Sequence, residues 1–154
     1  MTELSHEAYM EKALQEAEKA AAQGEVPVGA VIIKDGLVLA RAYNMREQWR
    51  DATAHAEVIA IREACRALQN WRLTGCTLYV TVEPCPMCAG AIFNSRVDTV
   101  VFGCRDNRAG AVESLFNVPS LVEPSASGDR RHLRRSLRCG GKRVFCQTKR
   151  LSTW

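Results

Sequence analysis

From Ser5 to Gln23 the apolar positions Tyr9, Ala13, Leu14, Ala17, Ala20 and Ala21 recur at the spacing of a helix that buries one face. Ser5 stands where an N-cap belongs, and Gly24 lies just past the end. The period then shortens. Val28 to Ile33 and Leu37 to Ala42 are β-prone runs joined by Lys34-Asp35-Gly36, a hairpin signal with a glycine available for positive φ. Helical spacing returns near His55 and turns Val58, Ile59, Ile61 and Leu68 inward. Thr77 to Val82 reads as a strand, Pro86 to Asn94 as a helix with proline tolerated in its first turn, and Val97 to Gly103 as another strand. Beyond Ser120 the periodicity fails in a Ser-, Gly- and Arg-rich stretch.

This order of elements implies a three-layer α/β/α fold: a mixed central sheet of about five strands with helices on both faces. The two strand–helix–strand passages favour parallel pairing. A chain of 154 residues with 47% hydrophobic content suits one domain with its own core. That domain is expected over residues 1–120, followed by an atypical basic tail over 121–154. No apolar run approaches the roughly 20 residues of a membrane span, and the N-terminus alternates charge, so a cytoplasmic protein is expected. Seven cysteines, an odd number, sit in core-strand and metal-site settings and point to reduced thiols.

The net charge of +4 is unevenly distributed. Residues 121–154 hold nine Lys and Arg against Glu123 and Asp129, a balance of +7 that leaves −3 on the first 120 residues. Such a tail either steers a polyanion or is a solvated end.

The chemistry concentrates in two short motifs, His55-Ala56-Glu57 and Pro84-Cys85-Pro86-Met87-Cys88. His55, Cys85 and Cys88 form a three-ligand zinc set, which leaves a coordination position open as catalytic sites do. Cys85 and Cys88 lie three apart at a helix start, where unpaired amides and the helix dipole favour thiolates. His55 opens its own helix. Glu57, roughly 200° further round that helix, need not bind the metal and is placed to shuttle protons. The alternatives are an ordinary first-turn carboxylate at Glu57 and a closed structural zinc site with Cys76 or Cys104 as fourth ligand. His6 and His132 are expected at the surface, and Cys65, Cys139 and Cys146 carry no assigned role.

His-x-Glu followed by Pro-Cys-x-x-Cys resembles the signature of the zinc nucleobase deaminases. Glu25 to Val31, Tyr43-Asn44, Thr53 to Glu57, Leu78 to Thr81 and Glu83 to Ile92 narrow the resemblance to the bacterial tRNA-specific adenosine deaminases. Ser95-Arg96, Val100 to Gly103, Asp106 and Gly110-Ala111 continue it, so it covers most of residues 3–120. It implies a cytidine deaminase-like fold and one zinc ion per subunit. It also implies a homodimer that acts on the wobble adenosine of a tRNA anticodon stem-loop. By the same resemblance His55, Cys85 and Cys88 bind zinc and Glu57 moves protons. Asn44 hydrogen-bonds the flipped-out nucleotide, Val28 walls the base pocket, and the Ala56 amide polarises the reacting group. The alternatives from the residues are a guanine or cytosine/cytidine deaminase, which shares the metal chemistry, and a non-catalytic zinc-bearing RNA-binding subunit, which would not need Glu57.

After Ser120 the resemblance stops, where the family continues through a Leu-Asn-His-Arg segment towards a helix with paired phenylalanines. Leu121 to Ser125 can be encoded CTT GTT GAA CCA TCG, which one base later reads Leu-Leu-Asn-His and the start of an arginine codon. Gly141 to Lys149 can likewise be encoded so that the next frame reads Gly-Lys-Glu-Phe-Phe-Ala-Lys-Leu. The tail is therefore expected to be a frameshifted form of the family ending, its positive charge a product of reading frame.

Overall fold

The computed structural model describes residues 4–115 and, as strand backbone, 134–139 and 142–150. Its centre is the run Gly29–Lys34, strand β1, whose small and β-branched residues are buried on both faces. At Asp35 (φ 50°) and Gly36 (φ 76°) the chain takes the paired left-handed conformations of a tight hairpin and returns as β2, Leu37–Tyr43. β3 (Cys76–Val82) and β4 (Thr99–Cys104) complete a sheet in the order β2-β1-β3-β4. Four strands thus stand in the domain where about five were expected, because its sequence holds only four β-prone runs. Two further strands, β5 (Arg134–Cys139) and β6 (Lys142–Arg150), extend the sheet, with β6 antiparallel to β4. The proposed frameshift start at Leu121 to Ser125 and the residue His132 lie outside the described residues.

Parallel pairing holds for one of the two expected passages. β3 and β4 pair in parallel, whereas β1 pairs antiparallel with both β2 and β3. β2 and β3 therefore run in the same direction, but β1 lies between them. This inversion brings the start of β1 to the same sheet edge as the ends of β2 and β3.

Strand alternation sorts the core into two layers. Val31, Ile33, Tyr79 and Val101 meet Tyr9, Met10 and Ala13 of helix α1, His6–Ala22. Ala30, Ile32, Leu78, Val80, Val100 and Phe102 face the other way, towards helices α3 (Ala56–Leu68) and α4 (Pro86–Asn94). Ser5 caps α1 as expected, its Oγ accepting from the Ala8 N–H at 3.3 Å. α1 crosses β1 so closely at Gly29 that a Cβ there would collide with the backbone of Ala13 and Ala17. His6, expected at the surface, is half-buried, and its Nδ1 lies 2.8 Å from the Tyr79 hydroxyl. On α3 the deepest residues are Ala56, Glu57, Ala60, Ile61 and Ala64, while Val58, Ile59 and Leu68 are only half-buried. The small alanines let the helix sit close to the sheet and leave the larger side chains at its flanks.

Candidate active site

The sheet edge that collects the start of β1 and the ends of β2 and β3 carries every sequence-predicted site residue. Val28 precedes β1, Asn44 follows β2, and their backbones are joined by Asn44 N–H to Val28 C=O at 3.2 Å. The short helix α2, Arg46–Trp49, follows, braced where the buried Glu25 carboxylate accepts the Gln48 N–H at 2.9 Å. The chain then enters α3 with His55 in the extended N-cap conformation and enters α4 with Cys85 in the same role. Two helix starts thus face one point, each with unsatisfied amides and a positive dipole end.

His55 Nδ1 lies 3.7 Å from Cys85 Sγ and 3.5 Å from Cys88 Sγ. Tetrahedral zinc with bonds of about 2.3 Å to sulfur and about 2.05 Å to nitrogen separates the two donor types by about 3.6 Å. The ligand atoms of these three residues lie within 4.8 Å of one another, and among the described residues no other His, Cys, Asp or Glu joins the group. Cys76 and Cys104 are therefore not in it. The donor set and its spacing fit zinc, with Nδ1 as the imidazole donor.

The two thiols are coupled. The Cys85 thiol is lowered to about 5, chiefly by the hydrogen bond from Cys88; burial opposes this, and the Cys88 and Met87 amides and His55 reinforce it. The same shared proton, together with burial, raises Cys88. Glu57 is 3% exposed, and its Oε2 is buried with no hydrogen-bond partner among the described residues. Burial pushes its carboxyl up to about 7; its own backbone amide opposes the shift, Cys85 adds to it, and Cys88 opposes it. A buried carboxyl that exchanges its proton near neutral pH, held beside a metal triad, is equipped for general acid–base work.

Asn44 is buried, and its Oδ1 accepts the Ala56 N–H at 2.8 Å. The Ala56 amide, expected to polarise the reacting group, thus donates to Asn44 in this structure. The reason lies in the helix. Ala56 is its first residue, its N–H has no intrahelical partner, and Ala56 is fully buried, so the chain must supply an acceptor. The bond also sets the Asn44 amide, leaving Nδ2 as the end that can face a substrate.

Sequence reading missed the role of Glu83. It is 3% exposed, and its carboxylate gathers backbone N–H groups from Asp106, Val112, Glu113 and Ser114. Burial opposes ionisation there, but the Ser114 hydroxyl and the amides outweigh it and hold the carboxyl below its usual range. Its place directly before Pro84-Cys85 was visible, but nothing local revealed its distant donors.

Residues 4–104 match the family described as the cytidine and deoxycytidylate deaminase zinc-binding region. The chain belongs to this deaminase family. It is 54% identical over 112 residues to the tRNA-specific adenosine deaminase of Bacillus subtilis, covering 73% of this chain and 70% of that one. It is 48% identical over 122 residues to the tRNA-specific adenosine deaminase of Aquifex aeolicus, covering 79% and 80%. A solved structure from a study of A-to-I editing by tRNA:A34 deaminases at the wobble position superimposes with a TM-score of 0.72 and 49% identity, covering 73% of this chain and 82% of that one. Guanine deaminase from Bacillus subtilis superimposes with a TM-score of 0.62 and 35% identity, covering 79% and 80%. As a member of the family, this deaminase is a zinc-dependent hydrolase with a three-layer α/β/α core.

Proposed function

We propose that this deaminase converts the wobble adenosine of a tRNA anticodon loop to inosine with release of ammonia. The observation that carries the reading is the His55–Cys85–Cys88 triad with the unpartnered Glu57 oxygen beside it. The identity to tRNA-specific adenosine deaminases supplies the substrate.

His55, Cys85 and Cys88 hold zinc, and Glu57 is the catalytic residue. Zinc, when bound, supplies the Lewis acidity that makes water a competent nucleophile at neutral pH. Glu57 takes a proton from the attacking water and delivers it to the ring nitrogen beside the amino-bearing carbon. It passes the second proton to the amine as the C–N bond breaks, so adenosine and water give inosine and ammonia. Asn44 Nδ2 holds the nucleotide and Val28 walls the base. A single-stranded loop presents the unstacked base at little unpairing cost.

The deaminase unit spans residues 1–120 and works in the cytoplasm as a homodimer on the anticodon stem-loop. The reducing cytoplasm also keeps the two cysteine ligands as thiols. The deciding experiment incubates the zinc-loaded protein with an adenosine-containing anticodon stem-loop, free guanine and free cytidine. Inosine at the wobble position supports the reading; ammonia from guanine alone replaces it with the guanine deaminase reading that the second structural likeness favours. A monomer in sedimentation at assay concentration would remove the dimer.

A further inference from the structure

Between β3 and α4 the chain makes one short passage, Glu83-Pro84-Cys85, and that passage delivers both cysteine ligands. It is pinned from three sides. Glu83 N–H donates to Cys104 C=O at 2.8 Å, continuing the β3–β4 ladder, and Ala111 N–H donates to Pro84 C=O at 2.9 Å. The Glu83 side chain makes the third tie. Its Oε1 accepts from the amides of Val112 at 3.2 Å, Glu113 at 2.6 Å and Ser114 at 2.8 Å. Its Oε2 accepts from the Asp106 amide at 3.1 Å and from the Ser114 hydroxyl. Gly110 backs onto the same carboxylate so tightly that a Cβ would overlap it.

Among the described residues no Lys or Arg forms an ion pair with this buried carboxylate. Among the described residues its donors are all neutral, as in a backbone anion cradle. A charge buried without a cation is costly unless its hydrogen-bond capacity is filled, and here the filling draws the 106–114 segment against the ligand-bearing turn.

We propose that Glu83 is a positioning residue of the metal site, locking segment 106–114 onto the Glu83–Cys85 passage and so setting where the two thiolates meet His55. The inference rests on the zinc reading above. His55 and Glu57 ride on α3 and are not held by this cradle, so loosening it moves the sulfur donors relative to a fixed imidazole.

The test uses the full chain and Co²⁺ as a probe whose visible ligand-field and thiolate charge-transfer bands report coordination geometry. Glu83→Gln keeps the size but turns an N–H₂ towards one set of donors. We expect Co²⁺ affinity to fall about 10–100-fold, the usual effect of losing a group that orients metal ligands, with shifted ligand-field bands. Gly110→Ala crowds the same carboxylate from the far side and should shift the bands in a folded protein with every ligand intact. Glu16→Gln, equally buried but on α1 across the sheet, should lower stability and leave the bands unchanged. A folded Glu83→Gln protein with wild-type affinity and spectrum overturns the proposal. If that variant does not fold, a wild-type spectrum in Gly110→Ala overturns it. Absence of thiolate charge transfer in the wild-type Co²⁺ protein would instead defeat the zinc reading itself.

Discussion

At the scale of single residues, Glu57 and Asn44 separate chemistry from architecture. Glu57 lies outside the ligand group, so Glu57→Ala should retain zinc at wild-type stoichiometry while inosine formation falls at least about 10²–10⁴-fold, the usual worth of general acid–base help. Loss of zinc together with activity would show that Glu57 holds the site together instead. Asn44 does two jobs through two ends of one amide. Asn44→Ala strands the buried Ala56 N–H and should cost about 1–3 kcal/mol of stability, as well as raising KM. Asn44→Asp keeps an acceptor for that N–H, favoured at a helix start, but removes the Nδ2 donor. Thermal unfolding of Asn44→Asp should therefore stay near wild type while KM rises. Equal destabilisation in both variants would remove the distinction.

Among the elements, α1 is held to the sheet by more than its apolar stripe. Glu16 is 2% exposed and pairs with Arg41 Nε of β2 and with Lys19 Nζ, each at 2.9 Å. Arg41 also donates to Gln15 Oε1 at 2.9 Å. Breaking a fully buried pair costs about 3–5 kcal/mol, but Arg41 is partly exposed and Lys19 would remain. Arg41→Ala should therefore cost about 1–2 kcal/mol, read as a lower urea midpoint at unchanged m-value. Activity per folded molecule should not change, because α1 lies across the sheet from the ligands. The helical spacing made α1 legible in the sequence, but the reading of that helix assigned nothing to Glu16. A glutamate at position 16 has no local mark of burial; only the crossing of α1 over Gly29 and the reach of Arg41 from β2 bury it.

In the whole molecule, the metal and the fold depend on one another. The three donors come from two helix starts that only the folded chain brings together, so zinc stabilises the native state by mass action, by about 2.7 kcal/mol at a hundredfold excess over Kd. Treatment with a strong chelator should lower the unfolding temperature and abolish deamination, and added zinc should restore both. An unchanged unfolding temperature would mean that zinc does not bind the folded protein in preference to the unfolded chain. The tail poses a separate question at this scale, since strands β5 and β6 join the sheet beyond β4. Sequencing the gene across codons 118–126 should reveal the family ending one base out of frame; its absence from the alternate frame would make the basic tail a feature of this protein.

Side-chain order alone made the chemistry and most elements up to β4 legible, but not the short α2 or the strands β5 and β6. Helical and strand periods are local properties of side-chain spacing, and the affinity of thiolate and imidazole for zinc belongs to the residue types. Long-range pairing decided the antiparallel seat of β1, which gathers Val28, Asn44, His55 and Cys85 at one edge. It also decided the buried polar pairs: Asn44 meets Ala56 across 12 positions and Glu83 meets Ser114 across 31. A buried polar group is stable only with a partner, and in these pairs the partner comes from a distant segment that no local pattern reveals.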